Sequence, residues 1–149
     1  MQTEKQWISS EILFTAILEQ LKENRKAVFI VTGMSMWPFL CHGRDQVVIE
    51  KCDLKKLTTG DIVLFQTNQG HYLLHRITKI ENGKFQSTGD GNCFRDGWFE
   101  LSCIRAKVAY LIRKDKRIDC DLLRWKIVFK LWNILFPVRG FLLKILKKM

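Results

Sequence analysis

From residue 27 to residue 112 the chain alternates short β-branched and aromatic runs with Gly, Asp and Asn, and no long helical stretch separates them. Nothing else in the sequence restricts the fold as strongly. Parallel neighbours need crossover connections of a dozen or more residues, usually helical, so these strands are expected to pair antiparallel. The spacing predicts strands at 27–31, 46–50, 61–66, 72–80, 84–88 and 104–112. Asn82-Gly83 is a two-residue hairpin signal, and Gly60-Asp61 and Gly89-Asp90-Gly91-Asn92 read as tight turns. The expected class is mainly β (α+β): a coiled antiparallel sheet or partly closed barrel over residues 27–113, flanked by helices.

The N-terminal flank, residues 1–26, holds Ile8, Ile12, Leu13, Ile17, Leu18 and Leu21 at helical spacing. An amphipathic helix is predicted there, capped by Ser9 or Ser10 and ending near Asn24. The C-terminal flank, residues 114–149, begins with a charged, turn-like connection over 114–121. Residues 122–149 then carry Arg124, Lys126, Lys130, Arg139, Lys144, Lys147 and Lys148 with no acidic residue, +7 of the chain's net +10. Trp125, Phe129, Trp132, Phe136 and Phe141 lie among them, and Pro137 and Gly140 should split the segment into two helices. Lys126, Lys130 and Asn133 fall on one strip of the first.

Such a segment suits an anionic membrane surface. The plainer alternative is packing onto the sheet or a partner. Nucleic acid is not expected, because no recognition motif accompanies the charge. Cys41, Cys52, Cys93, Cys103 and Cys120 are odd in number and show no zinc-type spacing, so reduced thiols are expected and no metal or other cofactor. Cys41 and Cys93 sit in loops of interest, but a catalytic cysteine is the weaker reading. No signal peptide is evident, and no segment approaches the ~20 uninterrupted apolar residues of a membrane span.

Chemistry concentrates after the first strand, in Thr32-Gly33-Met34-Ser35-Met36-Trp37-Pro38. Gly33 permits a sharp bend and Pro38 stiffens the chain beyond it, so Ser35 should sit on a rigid turn. A hydroxyl held so can act as a nucleophile if a base lies within reach; otherwise it is a turn serine capping its neighbours. His75 is the candidate base, expected on the buried strand face it shares with Leu73 and Ile77. Asp90 and Asp96, in the loop after residue 88, are candidate orienting acids. The plainer readings are a core histidine and two turn aspartates.

Taken in order, Gly-x-Ser-Met-x-Pro (33–38), Gly-Asp-Ile-Val-x-Phe (60–65), His-Arg-Ile (75–77) and Thr-Gly-Asp-x-Asn (88–92) with Asp96 resemble the signal peptidase I family, in its histidine-containing, endoplasmic-reticulum-like branch. The resemblance covers roughly residues 27–112. It implies a serine peptidase that cuts an extended peptide after a small side chain. Ser35 would be the nucleophile, His75 the general base and Asp96 the acid that orients it. Asp90 becomes a structural or accessory acid, Met36 and Pro38 shape the nucleophile turn, and Arg76 is a neighbour without an assigned role.

Four departures stand out. Met34 replaces the usual glycine before the serine, and Gly33 replaces a hydroxyl residue that can serve the oxyanion hole. Oxyanion stabilisation would then rest on backbone N–H groups, including that of Ser35, and a lost donor costs about 10²–10³ in rate. Gly43-Arg44-Asp45 carries one residue more than the usual Gly-Asp. No membrane-spanning anchor is expected ahead of Ser35. The expectation is therefore a peptidase of a precursor or leader peptide, cytoplasmic and peripheral at the inner membrane face through residues 122–149. The alternative is a catalytically weak peptide-binding or membrane-docking module. A self-cleaving repressor is disfavoured, since the N-terminal helix is too short for a helix-turn-helix domain and the base position is histidine.

Overall fold

The computed structural model describes residues 10–149, with side chains from residue 12 onward. The expected apolar position Ile8, and Ser9 as a cap, lie outside the described residues. Helix α1 (Ser10–Lys22) is followed by β1 (Ala27–Ile30), β2 (Asp45–Glu50), β3 (Ile62–Gln66), β4 (Tyr72–Glu81), β5 (Lys84–Thr88), β6 (Trp98–Glu100), β7 (Ile104–Arg113) and β8 (Lys116–Asp119). Helices α2 (Leu123–Ile134) and α3 (Arg139–Lys148) close the chain. Every strand pairing is antiparallel, and the class is α+β.

The sheet order is β1-β2-β7-β3-β4-β5-β6, with β8 beside β7. The long β7 serves both halves: residues 104–107 pair with β3, and residues 110–113 pair with β8. The path ends at β1 and β6 without joining them, so the sheet is open and the expected partial closure into a barrel is not formed. Closure requires the terminal strands to share hydrogen bonds, and β6 is only three residues long.

Turn chemistry explains the hairpins. Asn82 and Gly83 both take positive φ, the conformation of a tight two-residue turn between β4 and β5. Lys114 and Asp115 do the same between β7 and β8. Residues 114–121 are thus largely a hairpin rather than a mere connection; two non-glycine residues at positive φ hid its turn.

Alternation along β3 buries both faces. Ile62 and Leu64 join a core with Val47, Ile49, Ala106, Val108 and Leu111, against which α1 lays Ile17 and Leu21. Val63 and Phe65 join Ile77, Phe85 and Ile104 on the other face. There the Phe65 ring lies 5.1 Å from Phe85 and 5.0 Å from Phe99. Each such side chain, once fully buried, contributes roughly 1.5–3 kcal/mol. Ile12, expected on the apolar stripe of α1, is instead 64% exposed.

The two C-terminal helices bury Phe129, Trp132, Arg139 and Leu143 against the domain, with Phe129 under Arg76 of β4 and Trp132 and Arg139 on the loop after β5. Phe39 meets Phe129 and Trp132 edge-on at 5.3 and 5.7 Å. Pro137 lies in a short 3₁₀ turn (Phe136–Val138) between the helices, as a helix breaker should. Gly140 does not break anything. It sits inside α3, where an added Cβ would stand 3.3 Å from Cys93 Sγ.

Candidate active site

Gly33, at φ +82°, begins the turn that carries Ser35, and its N–H donates to His42 Nδ1 at 2.9 Å. The Trp37 N–H returns to Met34 O at 3.1 Å and the Leu40 N–H to Met36 O at 2.9 Å. The Trp37–Pro38 bond is cis. Met36 is buried beneath the turn, and its Sδ accepts the Asp90 N–H at 3.4 Å. Ser35 itself is half-buried. Its N–H has no acceptor among the described residues.

The loop after β5 is seated directly on this turn. Gly91 N–H donates to Ser35 O at 2.8 Å. A Cβ at Gly89 would stand 2.5 Å from Ser35 O, and one at Gly91 would stand 2.6 Å from Met34 O. Only glycine allows so close an approach of two backbones.

His75 lies on β4 opposite Val63, on the face it shares with Leu73 and Ile77, and is 5% exposed. Its Nδ1 is 2.6 Å from Asp96 Oδ2. The Ser87 hydroxyl donates to the same carboxylate oxygen at 2.6 Å, and the Asp96 N–H donates to Ser87 O at 2.9 Å. In the tautomer that carries its proton on Nδ1, the imidazole donates to Asp96 and presents Nε2 as an acceptor. No hydrogen bond joins Ser35 Oγ to His75.

Arg76, next in the chain, faces the other way. Its Nε and Nη2 donate to the two Asp90 carboxylate oxygens at 2.8 and 2.6 Å, and Nη1 donates to Gly60 O at 2.8 Å. The guanidinium lies 3.6 Å from the centroid of the Phe129 ring. Both members of the pair are buried, and the two-pronged geometry compensates the desolvation of each charge. The structure therefore separates the two aspartates: Asp96 meets the histidine, and Asp90 meets the arginine and anchors the loop on which Ser35 rests.

Three positions of this assembly carry no signal in the sequence. Trp132 Nε1 donates to Asp90 O at 3.0 Å. Arg139, 2% exposed, donates through Nη1 to Gly89 O at 3.4 Å and Asn92 O at 3.3 Å, and through Nη2 to Trp132 O at 3.0 Å. Burial pushes its guanidinium below the ordinary arginine pKa. Ser87 is the third; a strand serine shows nothing until its partner is placed. At the far end of the turn, Asp45 takes the Cys41 N–H at 2.8 Å and hydrogen bonds from Arg44 and Arg113.

All five cysteines are free. Burial raises the Cys52 thiol and pushes Cys120 up to about 11, the direction opposite to activation. Among the described residues no group of three His, Cys, Asp or Glu side chains is placed to hold a metal ion. A cavity of about 400 Å³ lies under α2, walled in part by Arg76, Lys107, Lys126, Lys130 and Asn133; Ser35, His75 and Asp96 are outside it. The polar strip on α2 thus faces this cavity.

Comparison with protein-family models, curated proteins and solved structures returned no match.

Proposed function

We propose that the chain is a serine endopeptidase that cuts an extended precursor or leader peptide after a small residue. The observation that carries this reading is the buried His75–Asp96 pair, 2.6 Å apart, whose aspartate lies just beyond the loop packed on Ser35. The motif order from Gly33 to Asp96 and the antiparallel α+β class support a signal peptidase-like catalytic domain.

Ser35 Oγ would pass its proton to His75 Nε2 as it attacks the scissile carbonyl, while Asp96 stabilises the imidazolium that forms. The Ser35 N–H, without an acceptor among the described residues, is a donor for the oxyanion. The imidazolium would then protonate the leaving amine, and a water activated by His75 would release the acyl group. Ser35 Oγ and Nε2 must close to hydrogen-bond distance when substrate binds, as catalytic contacts commonly do.

A second reading, a peptide-binding module with little turnover, draws on that open Ser35–His75 contact and on Met34, 54% exposed beside the serine. A mass-spectrometric assay on a diverse peptide library separates the two. Cuts after small residues made by the wild type and lost in Ser35→Ala support the peptidase. Identical traces from both proteins, with peptide binding retained in calorimetry, would leave the binding module.

A further inference from the structure

Helix α2 has two unlike sides. Trp125, Phe129, Trp132 and Asn133 turn toward the domain, while Leu123, Ile127, Leu131 and Ile134 are 72, 51, 54 and 64% exposed. At 100° per residue these four span one continuous outward stripe. On α3 the same holds: Arg139 and Leu143 are buried, and Phe141 and Ile145 are 68 and 42% exposed. Twelve of the eighteen exposed large apolar side chains among the described residues lie in 122–149. An apolar surface so concentrated marks an interaction site.

Its occupant is decided by charge. Residues 122–149 hold seven cations and no acidic side chain; Arg139 is buried, Lys126 and Lys130 border the cavity under α2, and Arg124, Lys144, Lys147 and Lys148 are exposed. Lys144, Lys147 and Lys148 flank Phe141 and Ile145 on α3, and among the described residues none of the three is in an ion pair. A second copy would bring like charge against like charge. A layer of anionic headgroups over acyl chains satisfies both the cations and the apolar stripe. No helix of the described residues is long and apolar enough to cross a membrane, so the contact is one of lying on the surface.

We propose that the outward face of α2 and α3 docks on an anionic lipid bilayer. The inward face of the same helices holds the loop under Ser35 through Trp132 and Arg139. Gly140 of α3 abuts Cys93, and Lys147 Nζ lies 6.0 Å from the Trp37 ring centroid. Docking therefore brings the serine turn close to the lipid surface. The consequence that peptides are cut there rests on the peptidase reading above; the docking does not.

The test is flotation of the full chain with vesicles of phosphatidylcholine alone or mixed with phosphatidylglycerol. Wild type is expected to float with the anionic vesicles only and to be released by high salt. Leu131→Asp combined with Phe141→Asp, both at exposed positions, should weaken that binding about tenfold or more while the melting temperature stays near wild type. Lys144→Gln, Lys147→Gln and Lys148→Gln together should also weaken it, and keep the test decisive if the aspartate variant fails to fold. Ser35→Ala should bind like wild type, so a failed cleavage assay leaves this result intact. The proposal is overturned if wild type floats with neither vesicle, if binding survives both sets of substitutions, or if light scattering shows a dimer that the aspartate variant dissociates.

Discussion

His75 and Asp96 are visible in the sequence because each is chemically rare where it stands: one of three histidines, inside a strand, and an acid in a Gly-rich loop. Their partner Ser87 is not, since a strand hydroxyl is ordinary until a carboxylate is placed 2.6 Å from it. The pair makes a sharp prediction. Asp96→Asn preserves the shape and still accepts from Ser87, but no longer stabilises an imidazolium. Cleavage should fall about 10³–10⁴-fold in kcat, with little change in melting temperature. Ser35→Ala should abolish cleavage and leave the melting curve in place, because a turn hydroxyl without a hydrogen-bond partner among the described residues contributes little to stability. Equal losses of activity and stability in that variant would count against a catalytic Ser35.

At the scale of elements, the serine turn is held from both ends. Asp45 ties its C-terminal end to β7: Arg113 Nε donates to Asp45 at 2.9 Å, and Arg113 Nη2 donates to Phe39 O at 2.6 Å. Burial by itself would raise the Asp45 carboxyl; the hydrogen bonds from Arg44, Arg113 and the Cys41 N–H more than offset that, holding it at about 2 against an ordinary 3.8. The folded pKa is the lower one, so the stabilisation is complete above about pH 4 and is lost as pH falls through about 2. A difference of this size corresponds to roughly 2 kcal/mol. Asp45→Asn should therefore be roughly 2 kcal/mol less stable at neutral pH, and the gap should close as denaturation is followed toward pH 2. On the other side, the turn is met by Gly91. In Gly91→Ala the new methyl would lie 2.6 Å from Met34 O and 2.8 Å from Trp37 O, both backbone atoms. The loop must move off the serine, so a loss of roughly 1–3 kcal/mol in stability is expected, together with loss of cleavage. A Gly91→Ala protein with full activity would mean that this seating does not matter.

For the whole molecule, the C-terminal helices are part of the packed domain on one side and exposed apolar surface on the other. Removing residues 122–149 strips Phe129, Trp132 and Leu143 from the core and Arg139 from the loop carbonyls. Deleting a single buried large aromatic costs about 3–5 kcal/mol, and whole domains are stable by only about 5–15 kcal/mol. Truncation after Asp121 should thus cost the fold itself, seen as a lost near-ultraviolet circular dichroism signal; a truncated protein that melts cooperatively at the wild-type temperature would refute this. What the sequence determined by itself were the properties carried by neighbours in the chain: antiparallel pairing from short connections, the hairpin at Asn82-Gly83, the buried face of His75, and the Ser35, His75 and Asp96 candidates. Alternation and turn conformation are local, so they can be read locally. The tertiary structure alone decided that the sheet stays open, that Ser87 shares the Asp96 carboxylate with His75, that Trp132 and Arg139 hold the loop from 42 and 50 residues away, and which side of α2 faces out. Each of these is a contact between distant segments, set by which surfaces can be buried together, and no local pattern encodes it.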